Sequence, residues 1–177
     1  MPSQTMKNHM FTVVLDHEPN DEEFDALFEA GCDDGGVGSE YNLPTIQFDR
    51  KAHSMSAAIA SAIRDIESTG MLVLNVLSED LFTLQDIADK VDTSREAVRR
   101  YSTGDRGPGG FPPPINPGRD GTKFYRWNQV APWLREHIGL DAPDIDADVV
   151  VADLMLQVRN QHPSPATVRN LCEVLKF

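Results

Sequence analysis

The chain has 177 residues, of which 40% are hydrophobic and 25% charged; these fractions are ordinary for a globular protein and exclude wholesale disorder. No run of about 18 apolar residues occurs, so no membrane-spanning helix and no membrane partner are expected. The formal net charge of −12 argues against DNA binding if the charge is spread evenly over the surface.

The charge is not spread evenly. Residues 1–80 hold 4 basic and 15 acidic side chains, whereas residues 81–137 hold 9 basic and 7 acidic ones. Within residues 95–126 the count is 7 basic against 3 acidic, a net of +4. Because exposed charges farther apart than about 8–10 Å are largely screened, a local basic surface is sufficient for phosphate binding. The charge pattern permits a DNA-binding protein without requiring one.

The N-terminus and the cysteines indicate the compartment. The first ten residues, MPSQTMKNHM, lack the apolar segment of a secretion signal. Cys32 and Cys172 are far apart in the sequence and show no metal-ligand spacing. We therefore expect a reduced, cytoplasmic protein.

The first part of the chain predicts a small α+β domain. Residues 1–10 are polar and are expected to form a disordered tail. Residues 11–80 follow with the order βαββαβ, which is the split βαβ or ferredoxin-like arrangement. The predicted strands are residues 11–17, 37–41, 45–49 and 72–77, with a hairpin turn at residues 42–44. The predicted helices run from Asn20 or Asp21 to Ala30, and from Ser54 or Ser56 to Ser68.

The next segment, residues 81–137, predicts a helix-turn-helix. Thr83 begins a first helix with an approximate capping box, and Ser94 is a suitable N-cap for a second helix over residues 95–102. The small side chain of Ala88 permits the two helices to cross at a steep angle.

A hairpin and a third helix complete this predicted domain. Residues 111–115 and 123–127 can pair as strands around the turn at residues 116–121, with the prolines of the first strand on an edge. Asn128 is the expected cap of a third helix, and Trp133 lies on its apolar face. The hairpin makes the predicted helix-turn-helix a winged one.

The last segment, residues 138–177, is predicted to be a C-terminal helical appendage. An acidic, proline-containing connector leads to a helix near residues 147–161, and Ser164-Pro165 begins another helix. These two amphipathic helices either pack on the body of the protein or form a dimer contact, and the sequence does not choose between these alternatives.

Residues that could contact DNA follow from the predicted geometry. A helix in the major groove offers its N-terminal residues to base edges, while its flank and a wing reach phosphates. The candidate base contacts, with the turn residue before them, are Thr93, Ser94, Arg95, Glu96 and Arg99. The candidate phosphate contacts are Arg100, Arg106, Arg119 and Lys123. Tyr101 either stacks on the sugar-phosphate backbone or fills the core.

The alternative is that these arginines form a solvated helix face, with Arg99 or Arg100 paired to Glu96. The turn, the small Ala88, the cap at Ser94 and the basic wing together favour DNA binding over that alternative.

Other kinds of site have weaker support. Cys32, Asp33, Asp34 and Glu40 could hold a divalent cation, but adjacent carboxylates at a helix end are more often solvated, so no metal is expected. The five histidines are scattered, and the glycine-rich GDRGPGG lacks the lysine and the helix that a phosphate-binding loop requires. We predict neither enzymatic activity nor a cofactor.

Three segments carry a resemblance: LQDIADKVDTSREAVRR, GFPPPI and FYRWNQVAPWL. Over residues 81–137 the chain resembles the winged helix-turn-helix of the MerR-like, excisionase and AlpA group. The resemblance implies that the second helix enters the major groove and that the wing touches the DNA backbone. It gives the helix contacts as Ser94, Arg95, Glu96, Arg99 and Arg100, the wing contacts as Arg119 and Lys123, and the core residues as Trp127 and Trp133.

The chain departs from that group in its longer GDRGPGG joint and in lacking the long coiled coil of full MerR activators. It also has no cysteine cluster for an effector, so metal sensing is not expected.

Two functions are consistent with these sequence features. The first is a sequence-specific DNA-binding regulator, a homodimer on a repeated or palindromic site of double-stranded DNA. An antitoxin-type autorepressor, a phage repressor and an excisionase all fit it, with the acidic domain as a sensor or protein-docking surface. The alternative is an interaction module whose acidic N-terminal domain binds a basic protein partner and whose helix-turn-helix is only structural.

Overall fold

The computed structural model of the chain describes residues 5–118 and 120–176. These described residues form a mixed α+β structure with seven α-helices and a four-stranded antiparallel sheet. The chain divides into two compact units: the first unit is Met1–Ser78 with Ala147–Phe177, and the second unit is Glu79–Asp146. The predicted C-terminal segment is therefore divided, since its connector lies in the second unit and its helices lie in the first.

The first unit contains a sheet of strand order β2-β3-β1-β4, in which all neighbouring strands are antiparallel. Its elements in chain order are β1 (Lys7–Leu15), α1 (Asp21–Glu29), β2 (Gly35–Glu40), β3 (Leu43–Ala52), α2 (Met55–Ser68), β4 (Val73–Val76), α6 (Ala147–Asn160) and α7 (Pro165–Leu175).

Strand β1 begins earlier than predicted. Lys7 pairs with Ala52 and Met10 with Asp49 of β3, so the prediction of a disordered tail is wrong for residues 7–10. Backbone pairing, which the side chains of this polar stretch do not reveal, orders these residues. Residues 1–4 lie outside the described part of the chain.

The turn between β2 and β3 is Tyr41-Asn42, with φ values of 51° and 63°, and not residues 42–44 as predicted. Two consecutive positive φ values are those of a type I′ turn, whose twist suits a two-residue hairpin. Pro44 lies inside β3, where its missing N–H costs little because the pairing of β3 with β1 begins only at Thr45.

Helix α6 completes the core of the first unit. Leu156 is buried in the same cluster as Phe48 and Ile66. At the edge of the sheet, Asn160 Nδ2 donates to the carbonyl oxygen of Leu74 at 2.8 Å, and the guanidinium of Arg159 donates to that of Val73. Side chains of α6 thus bind backbone carbonyls that β4 would otherwise leave open to another strand.

Cys32 and Cys172 differ in their surroundings. Cys32 is buried, and burial raises the pKa of its thiol to about 11, whereas Cys172 is half-buried. Because only the thiolate is nucleophilic, we expect a disulfide reagent at pH 8 to label Cys172 rapidly and Cys32 only on unfolding. A Cys172→Ser variant should keep only the slow phase; equal labelling rates in the unsubstituted protein would contradict the burial of Cys32.

The second unit is mainly helical. Its elements are β5 (Leu81–Phe82), α3 (Leu84–Lys90), α4 (Arg95–Thr103), β6 (Tyr125–Arg126), α5 (Trp127–Trp133) and a π-helical turn (Leu134–Ile138). Trp127 is fully buried and its indole N–H donates to the carbonyl oxygen of Pro143 at 2.7 Å. The indole of Trp133 donates to the carbonyl oxygen of Gly109 at 3.1 Å, so both tryptophans lie in the core, as predicted.

The predicted hairpin of residues 111–115 and 123–127 is wrong in most of its length. β6 pairs with β5, and one backbone hydrogen bond, from Ile115 N to Phe124 O at 2.8 Å, joins the two predicted strands within the described residues. The three prolines at 112–114 supply no ladder donors. Phe111 instead packs its ring against Tyr125 and Trp133, with centroid distances of 5.7 and 5.0 Å.

The third helix begins at Trp127 with Arg126 at its N-cap position, and not after a cap at Asn128. Asp80 determines this start, because its carbonyl oxygen accepts from Trp127 N at 2.8 Å and its carboxylate pairs with Arg126. Pro132 lies inside α5 and cannot donate to the preceding turn; the helix continues as a π-helical turn two residues later.

Candidate nucleic-acid interface

Two short helices and their turn form the surface on which most of the predicted contacts lie. The Thr83 side chain and the Asp86 side chain form the capping box of α3, and Ser94 Oγ accepts from Ala97 N at 3.1 Å at the start of α4. Ala88 and Val98 are fully buried between these helices. Local capping and a small contact residue therefore place α4 as the sequence predicts.

One face of α4 is buried and the other carries charge. Ala97, Val98 and Tyr101 are buried, whereas Arg95 and Glu96 are exposed. Exposed residues at the N-terminal end of a helix are those that can reach base edges.

Arg99 is engaged within its own helix. Its guanidinium donates two hydrogen bonds to the carboxylate of Glu96, both of 2.8 Å, and lies 3.6 Å from Asp105. The hydrogen bond from Arg99 lowers the pKa of the Glu96 carboxyl. The local pairing that the sequence left as an alternative is thus present for Arg99, which must leave Glu96 before it can bind a base.

Arg95 is placed differently. It lines a cleft of about 380 Å³, and within the described residues it forms no salt bridge. The residues that line the cleft are Thr83, Leu84, Gln85, Arg95, Gly121, Thr122 and Lys123. The start of α3, the start of α4 and the loop before β6 therefore border one concave surface with two basic side chains.

The loop that replaces the hairpin is held by Asn116. Its Oδ1 accepts from Phe124 N at 3.0 Å and its Nδ2 donates to Thr122 O at 2.9 Å. The ammonium of Lys123 donates to the carbonyl oxygens of Asn116 and Pro117 at 3.3 and 3.1 Å. These bonds fix the position of Lys123 without a β-ladder.

The remaining predicted contacts differ in whether their side chains are exposed to solvent. Tyr101 is 4% exposed and packs on Trp133 with ring centroids 5.7 Å apart, so it fills the core and is not available to a sugar-phosphate backbone. The guanidinium of Arg106 lies over the Tyr101 ring, 5.4 Å from its centroid, and Arg106 is itself exposed.

Arg100 is exposed on α4. Thr93 is half-buried and its N–H donates to Ala88 O at 2.9 Å, so this residue stabilises the turn between α3 and α4.

Arg119 lies outside the described residues. Of the other basic residues between 95 and 126, Arg126 is paired with Asp80 and Arg99 with Glu96. The basic surface is therefore narrower than the sequence count of +4 indicates: Arg95, Arg100 and Arg106 are exposed, whereas Lys123 is half-buried and bonded to two backbone carbonyls.

Thr83, Gln85 and Thr122 border the cleft but were not among the predicted contacts. The capping pattern at Thr83 identifies a helix start, but nothing in the local sequence indicates that the loop at Thr122 meets it.

Comparisons of the chain with protein-family models, with characterised proteins and with solved structures find no significant match. Within the described residues, no helix has the length and apolar character needed to cross a membrane. No cluster of three or more potential metal ligands occurs among those residues. Asp34, one of the four residues that could have held a divalent cation, forms an ion pair with Arg50.

Proposed function

We propose that the chain is a sequence-specific DNA-binding transcriptional regulator. In this proposal the second unit is a helix-turn-helix with α4 in the major groove and with the loop before β6 in the place of the wing hairpin, and the βαββαβ part of the first unit is a ferredoxin-like domain. The observation that carries it is the position of Arg95, which is exposed at the start of α4 and lines the same cleft as Lys123. A side chain there can reach a base edge, and Lys123 can reach a phosphate once its ammonium leaves the carbonyl oxygens that it binds in this structure.

The charges support binding through a small surface. Arg95, Arg100, Arg106 and Lys123 lie on one short stretch of a chain whose net charge is −12. The acidic remainder weakens nonspecific attraction to DNA, so affinity depends on the fit of α4 to particular bases. A homodimer would present two such surfaces to half-sites one helical turn apart, about 10–10.5 base pairs. An antitoxin-type autorepressor, a phage repressor and an excisionase all meet this description.

Selection from a random duplex pool at physiological salt tests the proposal. We expect enrichment of a short palindrome or repeat. If each of the four basic residues neutralises one phosphate, the slope of log affinity against log salt is about −3.6 per protomer. A pool that stays unenriched, together with a slope near zero, would reject DNA binding.

One observation favours the second candidate function, binding of a basic protein partner by the acidic part of the first unit. Phe24 and Phe28 lie one helical turn apart on α1 and are 49% and 64% exposed. Acidic residues occupy most of the remaining positions of this helix: Asp21, Glu22, Glu23, Asp25 and Glu29. An aromatic pair in an acidic surround suits a basic segment with apolar anchors. A Phe24→Ser/Phe28→Ser variant that still binds the selected DNA but loses a protein captured from the native host would separate this function from DNA binding.

A further inference from the structure

Strand β2 is an open edge of the sheet in the first unit. The strand order β2-β3-β1-β4 places it at one edge, whereas β4 forms the other. At the β4 edge, side chains of α6 bind outward carbonyl oxygens. The described residues give β2 no such cover, since every residue of β2 after Gly35 is exposed. Strand β2 also contains no lysine, arginine or proline and pairs with β3 without a bulge, so it lacks the usual obstacles to another strand.

The ladder between β2 and β3 shows which peptide groups face that edge. In an antiparallel pair, residues that exchange two hydrogen bonds alternate with residues that exchange none. Asp49 N donates to Asp34 O at 3.1 Å, so the bonded residues of β2 are the even-numbered ones. The N–H and C=O groups of Val37 and Ser39 therefore point away from β3. Within the described part of the chain neither residue forms another backbone hydrogen bond, so both leave a donor and an acceptor for a further strand.

Two glycines of β2 are not required by the fold of this chain. Neither Gly36 nor Gly38 has a positive φ. An added Cβ atom would lie 4.0 Å from the nearest atom of another part of the chain at Gly36 and 3.8 Å at Gly38, which are ordinary contacts. Gly35 differs, because its Cβ would lie 2.7 Å from the Ile46 side chain. Glycine inside a strand weakens it and often marks a place where another backbone approaches closely, and residues 36 and 38 indicate such a place.

Charge selects a basic partner for this edge. Residues 16–49, which include α1 and β2, hold 11 acidic side chains and no lysine or arginine. Glu40 of β2 and Asp49 of β3 are exposed on the face of the sheet opposite the core. A second copy of the chain would bring the same negative charge to the edge and be repelled, whereas a basic peptide is attracted.

We propose that β2 docks an extended basic peptide, which adds to the sheet as an antiparallel strand. Val37 and Ser39 supply the main-chain hydrogen bonds, and the peptide residues directly opposite them place their side chains on the same face as Val37. That face is the apolar one, because Val37 pairs with the buried Ile46. The alternate peptide residues lie on the face of Glu40 and Asp49, where lysine or arginine fits. This proposal rests on the second candidate function, since it gives the basic partner named there a conformation and a position.

A fluorescein-labelled, amidated octapeptide that alternates lysine and valine is a direct probe. Fluorescence anisotropy with the whole chain should show binding that weakens with salt, and a matched peptide that alternates glutamate and valine should bind at least roughly tenfold more weakly. N-methylation of two central valine amides should weaken binding on the order of tenfold, because those amides donate to β2. N-methylation of two central lysine amides should weaken it much less. Equal effects of the two methylations, or no binding of the lysine peptide, would overturn the proposal, and a loss confined to the lysine-methylated peptide would overturn the antiparallel direction.

Two substitutions at Val37 test the strand itself. Val37→Pro removes an N–H that does not bond to β3, so it should weaken binding of the lysine peptide roughly tenfold without unfolding the sheet. Val37→Ala is the matched control, since it keeps the N–H, shortens the side chain and should stay within about threefold of the unsubstituted chain. Urea unfolding checks that both variants are folded, and the methylated peptides test the proposal on the unsubstituted chain if Val37→Pro is not. Equal affinities of the two folded variants would overturn the proposal.

A second copy of the chain is the competing occupant of this edge. Sedimentation equilibrium without peptide tests it. A mass near twice 19.6 kDa that Val37→Pro, but not Val37→Ala, lowers toward 19.6 kDa would assign the edge to a second copy and overturn the peptide proposal.

The peptide measurements contain neither DNA nor a host protein, so each proposal can fail separately. A chain that selects DNA but does not bind the lysine peptide rejects the docking strand alone. Binding of the peptide through Val37 by a chain that selects no DNA rejects the DNA-binding function alone. If Phe24→Ser/Phe28→Ser still captures the host protein and still binds the peptide, the helix contact of the second candidate function is wrong and docking at β2 is not.

Discussion

Replacing Arg50 with alanine should lower the free energy of unfolding of the first unit by about 3 kcal/mol, the largest stability change that we expect from a single charged residue. Its side chain is 7% exposed, donates two hydrogen bonds to Asp34 at 2.8 and 2.9 Å, and pairs with Asp65 at 2.6 Å. It also donates to the carbonyl oxygen of Gly31 at 2.7 Å. Removing one partner from a buried ion pair costs about 3–5 kcal/mol because the remaining charge loses its compensation. The two carboxylates are 31% and 27% exposed, so water offsets part of that loss and the low end applies.

Urea unfolding monitored by circular dichroism measures the change from the midpoint, provided that the slope is unchanged. Arg64→Ala is the matched control, since Arg64 is exposed on α2 and its loss should stay within about 0.5 kcal/mol. A loss below about 1 kcal/mol for Arg50→Ala would mean that solvent already screens the two carboxylates.

The Arg50 network also shows why part of the fold escapes sequence analysis. Its partners lie 15 and 16 residues away, and only the approach of β3 to α2 and to the segment after α1 brings them together. By contrast, the caps at Ser94 and Ser164 involve hydrogen bonds across three residues, so local sequence is sufficient to predict them. The βαββαβ element order was predicted because turn residues and apolar periodicity are equally local.

The candidate interface divides in the same way. The position of α4 follows from its cap and its buried face, and both were visible in the sequence. The pairing of Arg126 with Asp80, 46 residues earlier, was not visible in the sequence. It neutralises one of the seven positive charges that were counted over residues 95–126. The expected hairpin was replaced by a loop that Asn116 organises, since a side chain can substitute for ladder hydrogen bonds when prolines remove the donors.

Of the two arginines proposed as base contacts, the structure favours Arg95 over Arg99, and substitution of Arg95 by alanine gives a large expected effect on affinity. Arg95→Ala should weaken binding to a selected DNA site by about 1–3 kcal/mol, the discrimination that a bidentate arginine–guanine contact supplies. Arg99→Ala should cost less, because Arg99 must first give up two hydrogen bonds to Glu96. Lys123→Ala should weaken the selected site and unrelated DNA by the same factor, and should reduce the salt slope by about 0.9, since a phosphate contact carries no sequence information.

Fluorescence anisotropy with the selected duplex and a scrambled duplex, over a salt series, separates these three results. The ratio of the two affinities reports base reading, and the salt slope reports phosphate contacts. Arg64→Ala again serves as the control, because it removes an arginine from the first unit and should change neither quantity. If Arg99→Ala abolishes the affinity ratio while Arg95→Ala preserves it, the Glu96 pair opens on binding and Arg99 reads the base. If Lys123→Ala changes the ratio, the loop before β6 reaches base edges, and the assignment of that loop to the phosphate backbone is wrong.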